Sequence, residues 1–420
     1  MDHFEFRNGE LFCEDVSLTE IAAAVGTPTY VYSTATMLRH VEVLKSSLEG
    51  LGDPLIAYAV KANPNPAVLA TLARAGLGAD VVSGGEVRRA RTAGISADKI
   101  VFSGVGKTEQ EMRLALEQGV YQFNLESVAE AETLSALTTS MGLTAPVAFR
   151  VNPDVSAGTH AKITTGIAES KFGIAIGEAP AAYAHAASLP GLSVQGVAVH
   201  IGSQLTELAP LERAFTRVGD LLRELRSQGL DLRVADLGGG LGVPYNPDLP
   251  APPGPEEYGK MVRRITHGWN VRLVFEPGRL IVGNAGVLLS RVVRIKPGAV
   301  HPFVIVDAAM NDLIRPALYD AWHQIDAVRP TGDRWIANVV GPVCESGDTF
   351  ATAREMDRME EGNPLVFRTA GAYAAAMSST YNSRPLTPEV LVNGSRWSVV
   401  RRRLDVDAVF PIDLPPWLET

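Results

Sequence analysis

The first regular feature of the chain is an alternation of short apolar runs with longer amphipathic stretches between residues 54 and 283. The apolar runs are rich in Val, Ile, Leu and Ala along their whole length, which is typical of strands buried on both faces. We predict eight such strands, at Leu55–Lys61, Gly78–Ser83, Ile100–Gly104, Tyr121–Leu125, Pro146–Val151, Val194–Ile201, Arg233–Leu237 and Val271–Phe275.

Amphipathic stretches lie between these runs and predict helices. Leu211–Ser227 repeats apolar residues every three or four positions, and Asn65–Ala75 does so over a shorter length. Glycines such as Gly76 and Gly119 follow several of these stretches, as they follow the C-termini of helices. Eight strand–helix units predict an α/β fold with a (β/α)8 barrel of the TIM type. A doubly wound open sheet is the alternative that alternation alone leaves open.

The pattern changes after residue 284, where helical periodicity becomes scarce and strands predominate. Predicted strands are Val287–Lys296, Phe303–Asp307, Trp335–Val340, Leu365–Thr369 and Val390–Arg401. Phe4–Phe6 and Tyr30–Tyr32 also read as strands and stand outside the alternating series. We therefore predict a barrel of residues 31–284 and a mostly β domain, a β-sandwich or β-barrel, of residues 1–30 and 285–420.

Composition narrows the class of protein. The 420 residues are 46% hydrophobic and 20% charged, which is ordinary for a globular protein. A net charge of −9 gives no footprint for nucleic acid or an anionic membrane surface. No run reaches the length of a membrane span, and the first residues lack the apolar stretch of a signal peptide. With only Cys13 and Cys344, no disulfide framework is possible, so we expect a cytoplasmic protein.

Reactive residue types follow four of the predicted barrel strands. These residues are Lys61 after the first strand, His200 and Ser203 after the sixth, Gly238, Gly239 and Gly240 after the seventh, and Glu276, Gly278 and Arg279 after the eighth. The carboxyl ends of barrel strands meet at one face, so these residues are expected to converge. Taken singly, each has an ordinary interpretation: a solvated lysine, a core histidine, a flexible turn or a surface ion pair.

Together the residues match the parts of pyridoxal 5'-phosphate (PLP). That cofactor needs a lysine amine for covalent attachment and a partner at its pyridine nitrogen, for which Lys61 and Glu276 are candidates. Backbone N–H groups of Gly238–Gly240 and the Ser203 hydroxyl could bind its phosphate, and His200 could stack on its ring. A dinucleotide is disfavoured because Gly238–Gly242 does not spell G-x-G-x-x-G. No metal site is predicted.

Several segments carry a resemblance to a known family. They are Tyr58–Asn63, His160–Ile163, Ser170–Ile174, His200–Gln204, Gly238–Gly242, Glu276–Arg279, Arg315–Tyr319, Cys344–Asp348 and Gly371–Tyr373. In these segments the chain resembles the barrel-type PLP decarboxylases of the alanine racemase fold class. Among them it is most similar to the diaminopimelate decarboxylases. The resemblance covers nearly the whole chain.

The resemblance implies a role for each matching residue. Lys61 would carry PLP, His200 would stack on its ring, Glu276 would hold the pyridine nitrogen, and Arg279 would serve the phosphate side and the substrate. Of the residues outside the barrel, the implied roles are distal carboxylate binding for Arg315 and Tyr319, proton donation for Cys344, distal amino-group binding for Glu345, and contact with PLP and substrate for Tyr373. In the family the Cys344–Asp348 segment enters from the partner subunit, so a homodimer with shared sites is implied.

The implied reaction converts meso-2,6-diaminopimelate to L-lysine and CO2, the last step of lysine biosynthesis. An arginine fork suits a second carboxylate and a glutamate suits an ammonium, so a substrate without that carboxylate would leave Arg315 unpaired. Alternatives are decarboxylation of ornithine, arginine or a carboxylated polyamine such as carboxynorspermidine, racemisation, and a non-catalytic PLP carrier or regulator. The presence of both Lys61 and Glu276 disfavours the last.

Two further expectations concern segments near the implied site. Asp320–His323 follow Tyr319 where the family has a small residue and then an aromatic, which we expect to change packing but not the reaction. The long, glycine-containing segment Asn152–Gly177 is predicted to be a functional loop, and its closure over the site is a hypothesis.

Overall fold

The computed structural model describes residues 2–156, 170–409 and 415–418. The chain forms two compact units, one of residues 37–281 and one of residues 1–36 together with 282–420. We call them the barrel unit and the β unit. Across the described part of the chain, no helix is both long and apolar enough to cross a membrane.

The chain begins with a small antiparallel sheet. It consists of β1 (Phe4–Arg7), β2 (Glu10–Cys13) and β3 (Val16–Ser17), and it is followed by α1 (Leu18–Val25), β4 (Thr29–Ser33) and α2 (Thr34–Ser47). Helix α1 begins where it does because the Ser17 side chain accepts the N–H groups of Thr19 and Glu20. The sequence had predicted β1 and β4 but neither helix.

Eight parallel strands close a barrel in the second part of the chain. The strands in this region are β5 (Leu55–Ala59), β6 (Gly78–Val81), β7 (Ile100–Phe102), β8 (Gln122–Leu125), β9 (Ala145–Asn152), β10 (Ile174–Ala175), β11 (Leu192–Val199), β12 (Val234–Asp236) and β13 (Arg272–Phe275). Closure comes from the pairings of β13 with β5 and of β8 with β9, while β10 only pairs in parallel with the last two residues of β9. The predicted barrel is confirmed, and the open sheet is excluded.

Helices follow the strands in the order the pattern predicted. They are α3 (Pro66–Arg74), α4 (Gly84–Thr92), α5 (Glu109–Gln118), α6 (Val128–Met141), α7 (Ala179–Ser188), α8 (Ala209–Ser227), α9 (Pro255–Thr266) and α10 (Arg279–Val282). Helix α5 shows how local sequence sets the bounds. Thr108 and Glu111 form a capping box at its start, and Gly119 ends it at a φ of 70°.

The β unit contains most of the remaining strands. Its later elements are β14 (Gly286–Lys296), β15 (Phe303–Val306), α11 (Arg315–Tyr319), β16 (Ile325–Ala327), β17 (Arg334–Val340), β18 (Thr349–Asp357), β19 (Pro364–Phe367), β20 (Glu389–Asn393), β21 (Arg396–Arg401) and α12 (Val406–Val409). The main sheet runs β18-β17-β15-β14-β4-β20-β21, and β16 and β19 pair beside β14. The prediction of one strand at 390–401 was wrong, because Gly394, at a φ of 62°, turns the chain into the β20–β21 hairpin.

Strand β4 lies between β14 and β20, although some 250 or more residues of chain separate it from each. Its Tyr32 hydroxyl donates to Glu389 Oε2 at 2.6 Å, and Arg401 pairs with Glu389 Oε1 at 2.9 Å. The apolar core on this side includes Val31, Val287 and other buried residues of the first and last segments. The first 36 residues are thus part of the β unit.

Candidate active site

Lys61 lies in a single 3-10 turn, Val60–Ala62, directly after β5. Its Nζ is 2.8 Å from Oδ2 of Asp80, which comes from the neighbouring strand β6. The Lys61 side chain is 41% exposed and that of Asp80 is fully buried. Asp80 Oδ1 is also buried and has no hydrogen-bond partner among the residues described. The amine is therefore held at the strand end while it stays open to a reagent. The sequence pattern missed Asp80.

Glu276 follows β13 at the same end of the barrel. Its Oε1 lies 3.5 Å from both Ser103 Oγ and Asn124 Nδ2, so neither donor is close. Asp236, the last residue of β12, shares a hydrogen bond with Glu276 and accepts one from Asn124 Nδ2 at 2.8 Å. Burial, followed by the charges of Asp236 and Asp80, raises the pKa of Glu276 well above its ordinary value. A partly buried carboxyl whose contacts with Ser103 and Asn124 are as long as 3.5 Å suits the N–H of a protonated pyridine ring.

The glycine run Gly238–Gly240 packs tightly against neighbouring strand ends. A Cβ on Gly239 would lie 2.2 Å from the Glu276 carbonyl oxygen, and a Cβ on Gly240 would lie 2.3 Å from that of Gly202. Gly238 and Gly240 also have φ values of 63° and 108°, which other residues rarely adopt. Only glycines therefore fit here, because backbone atoms of neighbouring segments already lie where a side chain would begin.

Two of the three glycine N–H groups already donate within the protein. Gly238 donates to Asp236 Oδ1 at 2.9 Å, and Gly239 donates to His200 Nδ1 at 3.2 Å. The Gly240 N–H has no acceptor in the described part of the chain. Of the three glycines predicted to bind a phosphate, Gly240 is therefore the one whose backbone N–H remains available to a bound group.

His200 follows β11 and is partly buried. Because its Nδ1 accepts the Gly239 N–H, the hydrogen of the neutral ring is assigned to Nε2. Arg150 donates to the His200 carbonyl at 3.2 Å. Burial, then the positive charges of Arg150 and Lys61, lower the pKa of His200 well below its ordinary value. The ring is therefore a neutral aromatic face at physiological pH, as stacking on a cofactor ring requires.

Arg279 begins α10 and is buried. It donates from Nη2 to Ser203 Oγ at 3.1 Å and from Nη1 to the Tyr245 hydroxyl at 2.5 Å. Gly278, just before it, accepts the N–H of Ile281 at 3.1 Å. Arg279, Ser203 and Tyr245 form one polar cluster, of which the sequence pattern had indicated all but Tyr245.

Arg315 begins α11 in the β unit and is 6% exposed. Its Nη1 donates to His323 Nε2 at 2.8 Å, and His323 Nδ1 lies 2.8 Å from the carbonyl oxygen of Arg368. A guanidinium has no acceptor, so Nε2 must accept and Nδ1 must carry the hydrogen. Arg354 donates to the His323 carbonyl at 2.8 Å. The departure noted in the sequence at 320–323 thus includes a residue that orients Arg315.

The other predicted residues of the β unit lie in its loops and in α11. Tyr319 ends α11, and Tyr373 is partly buried with a φ of 54°. Cys344 and Glu345 are exposed at the tip of the hairpin loop of residues 341–348, which joins β17 to β18. Burial raises the pKa of Asp348 at the end of this loop.

Part of the segment between β9 and α7 can also be described. Gly173 donates its N–H to Glu126 Oε2 at 2.7 Å, and the Phe172 ring lies 4.6 Å from the Arg150 guanidinium carbon. The predicted family segment His160–Ile163, with Lys162, lies outside the described residues. Within the described ranges, no cluster of three or more His, Cys, Asp or Glu side chains could hold a metal ion.

Comparison with known proteins identifies the family. A profile described as "Pyridoxal-dependent decarboxylase, pyridoxal binding domain" matches residues 35–283. Diaminopimelate decarboxylase from Zymomonas mobilis is 53% identical over 406 residues, which is 96% of this chain and 96% of that protein. The counterpart from Pseudomonas fluorescens is 52% identical over 98% of both chains.

Solved structures agree with the sequence relatives. The crystal structure of diaminopimelate decarboxylase from M. jannaschii in co-complex with L-lysine superposes with a TM-score of 0.94 at 35% identity. The match covers 100% of this chain and 99% of that one. The similarity to these relatives therefore extends over both the barrel unit and the β unit. The chain belongs to the diaminopimelate decarboxylase family of PLP-dependent decarboxylases.

Proposed function

We propose that the protein decarboxylates meso-2,6-diaminopimelate to L-lysine and CO2. The observation that carries the substrate assignment is the buried Arg315, which His323 orients in a family whose M. jannaschii member is known with L-lysine. A guanidinium binds a carboxylate through a planar pair of N–H donors, and the second carboxylate of diaminopimelate is a group of that kind. L-Lysine, the product, keeps that same carboxylate.

The barrel unit supplies the residues suited to hold PLP. We assign Lys61 Nζ to covalent attachment, Glu276 to the pyridine nitrogen, the neutral His200 ring to the ring face, and Gly240 N–H with Ser203 Oγ to the phosphate. Each assignment is supported by an observation: the Lys61–Asp80 pair, the long contacts of 3.5 Å at Glu276 Oε1, and the Gly240 N–H, which has no acceptor among the described residues. Gly238 and Gly239 allow neighbouring backbone segments to approach closely, and Gly278 lies between Glu276 and Arg279 in the chain. Bound PLP supplies an electron sink for the electron pair released when CO2 leaves.

The chain's own residues handle charge and protons. During the reaction the bond between the α-carbon and its carboxylate breaks, CO2 leaves without the bonding pair, and a proton takes its place on that carbon. We propose that the Cys344 thiol donates this proton. Because Cys344 is exposed, the thiol can take a new proton from solvent afterwards. Burial raises the pKa of Glu276 and of Asp236, which share a hydrogen bond, so this part of the site favours a bound proton where we place the pyridine nitrogen.

The distal end of the substrate is assigned to groups of matching charge. Arg315 and Tyr319 bind the second carboxylate and Glu345 binds its amino group, while Arg279 and Tyr373 also contact the substrate. Ornithine, arginine and lysine used as substrates lack the second carboxylate and would not make this contact with Arg315. A hydrogen bond to a charged group contributes about 1.5–3 kcal/mol, so its loss lowers the rate by roughly ten- to a hundredfold.

We also propose a cytoplasmic homodimer in which the Cys344–Glu345 segment serves the partner's site. The unpaired state of Cys13 and Cys344 supports a reducing compartment. Mixing inactive Lys61→Ala with inactive Cys344→Ala subunits tests the dimer. Mixed dimers would contain one intact site, so about a quarter of wild-type activity should return. No return of activity after subunit exchange has been verified would refute shared sites.

The decisive experiment measures CO2 release from meso-diaminopimelate, L-ornithine, L-arginine and L-lysine by the PLP-loaded protein. Lys61→Ala is the active-site variant, and Lys260→Ala, on the exposed face of α9, is the matched control. Release from diaminopimelate alone, lost in Lys61→Ala only, supports the proposal. Release from another substrate would keep the cofactor assignment and overturn the distal-end assignment.

A further inference from the structure

The hairpin loop of residues 341–348 has a reactive tip and a buried base. Val340 pairs with Thr349 where the loop leaves β17 and enters β18. Cys344 and Glu345 at its tip are exposed, whereas Asp348 at its base is 3% exposed. Burying a carboxylate is costly unless it is well hydrogen-bonded. We therefore expect the buried carboxyl of Asp348 to have several hydrogen-bond donors around it.

Asp348 is bonded through both carboxyl oxygens and through its backbone. Oδ2 accepts the Val343 N–H at 2.7 Å, and Oδ1 accepts the Met310 N–H at 2.6 Å. Its carbonyl accepts the Gly341 N–H at 2.9 Å, and its own N–H donates to the Glu345 carbonyl at 3.1 Å. One residue thus joins the two ends of the loop and holds the N–H of Val343, the residue that precedes Cys344.

The surroundings of Asp348 are shaped to this contact. A Cβ on Gly341 would lie 2.3 Å and 2.4 Å from the two carboxyl oxygens, so glycine is required there. Met310 belongs to a turn closed by the Asp312 N–H, which donates to Ala309 at 2.8 Å, and this turn precedes α11. The carboxylate therefore ties the loop to a second, separately hydrogen-bonded segment of the β unit.

We propose that Asp348 is a positioning residue that sets the conformation of the 341–348 loop and thereby the place of the Cys344 thiol. An ionised carboxylate has two acceptor oxygens, whereas an amide has one and turns a donor toward the second N–H. Asparagine is nearly isosteric but cannot make both contacts. In its functional consequence this inference rests on the proposed role of Cys344 as proton donor.

The test compares Asp348→Asn with Asp357→Asn in the PLP-loaded, full-length protein. Asp357 is a matched control at the other end of β18, because its buried carboxyl accepts the N–H groups of Thr331 and Gly332, both at 2.8 Å. The first readout is the rate of thiol alkylation by iodoacetamide. Cys13 is buried and Cys344 is exposed, so this rate reports on Cys344. The second readout is kcat and KM for diaminopimelate.

For Asp348→Asn we expect thiol alkylation to rise about threefold or more, because the loop loosens and loses a negative charge near the thiol. We expect kcat to fall about tenfold or more with KM little changed, because the proton donor is displaced. Asp357→Asn should alter neither readout. If Asp348→Asn has the same alkylation rate and the same kcat as Asp357→Asn, the inference is overturned.

Two further outcomes are distinguishable. If the wild type releases no CO2 from any substrate, the proposed function fails, and the alkylation rates still decide whether Asp348 positions the loop. If Asp348→Asn does not fold, Gly341→Ala takes its place, because its methyl group pushes on the carboxylate and leaves Asp348 present. Unchanged alkylation in that variant would refute the positioning role.

Discussion

Replacing His323 by phenylalanine tests how Arg315 recognises a carboxylate. The ring volume is nearly kept, so a cavity adds little, but the acceptor for Arg315 Nη1 and the donor to the Arg368 carbonyl are both removed. A hydrogen bond from a charged group contributes about 1.5–3 kcal/mol. With 1.36 kcal/mol for each factor of ten, full loss from substrate binding would raise KM about 10- to 150-fold. Because part of the loss falls on folding stability, we expect an increase of about tenfold.

The assay separates carboxylate recognition from general damage by using two inhibitors. L-Lysine carries the carboxylate assigned to Arg315, and 1,5-diaminopentane is the same molecule without it. In His323→Phe, KM for diaminopimelate and the inhibition constant of L-lysine should rise together, while that of 1,5-diaminopentane should change less than about twofold. His185→Phe, an exposed histidine on α7, is the control. Equal shifts for both inhibitors would show that His323 does not act through Arg315.

Three other outcomes are expected. Gly239→Ala places a methyl group 2.2 Å from the Glu276 carbonyl oxygen, so the purified protein should lose the visible absorbance of bound PLP and about 1–3 kcal/mol of unfolding free energy. The pKa of Glu276 is raised above 4.5 in the folded state, so the stability of the cofactor-free protein should fall as the pH rises above that value, and Glu276→Gln should reduce this fall in melting temperatures. Glu389→Ala leaves Arg401 without its buried partner and should cost about 3–5 kcal/mol in urea unfolding.

Each of these outcomes has a control and a contradicting result. Gly106→Ala adds a methyl group with no atom within 4 Å, so it should retain PLP, and equal loss in both glycine variants would remove the steric explanation. A melting temperature that rises with pH in the cofactor-free wild type would show that the buried carboxyl does not control stability there. Glu355→Ala breaks an exposed ion pair with Arg334 and should cost less than about 1 kcal/mol. If Glu389→Ala also costs less than about 1 kcal/mol of unfolding free energy, the ion pair of Glu389 with Arg401 is weak as well.

The barrel and part of its site could be predicted because their signals are local. Continuous apolar runs give the strands, and the barrel brings their ends together, so Lys61 and Glu276 could be placed on one face from the pattern. Asp80 and Asp236 were missed because the candidates were sought among the residues that follow the strands, whereas each of these lies inside a predicted strand. A buried acidic residue in such a run was the signal that could have found them, since carboxylates are rarely buried without a partner.

The β unit was harder to predict because its structure depends on contacts between distant segments. Strand β18 mixes charged and apolar residues, since one of its faces is partly exposed, and its pairing with β17 cannot be read from either segment alone. The role of His323 depends on a contact with Arg315 across the end of α11, which spacing does not determine. Asp348 belongs to the Cys344–Asp348 segment, which the sequence had indicated. Its hydrogen bonds to the N–H groups of Met310 and Val343 could not be predicted, because spacing along the chain does not determine them.

The position of β4 between β14 and β20 has a consequence for synthesis on the ribosome. Strand β4 is made early, yet one neighbour ends at residue 296 and the other at residue 393. At about 5–20 residues per second, the emerging chain needs roughly 20–70 s after β4 before its second neighbour exists. During that interval the barrel strands are made and can pair, while β4 exposes two unpaired edges until β14 exists and one until β20 exists. The β4 segment of the newborn chain is thus exposed to aggregation, and a chaperone that binds residues 29–33 should raise the yield of native protein.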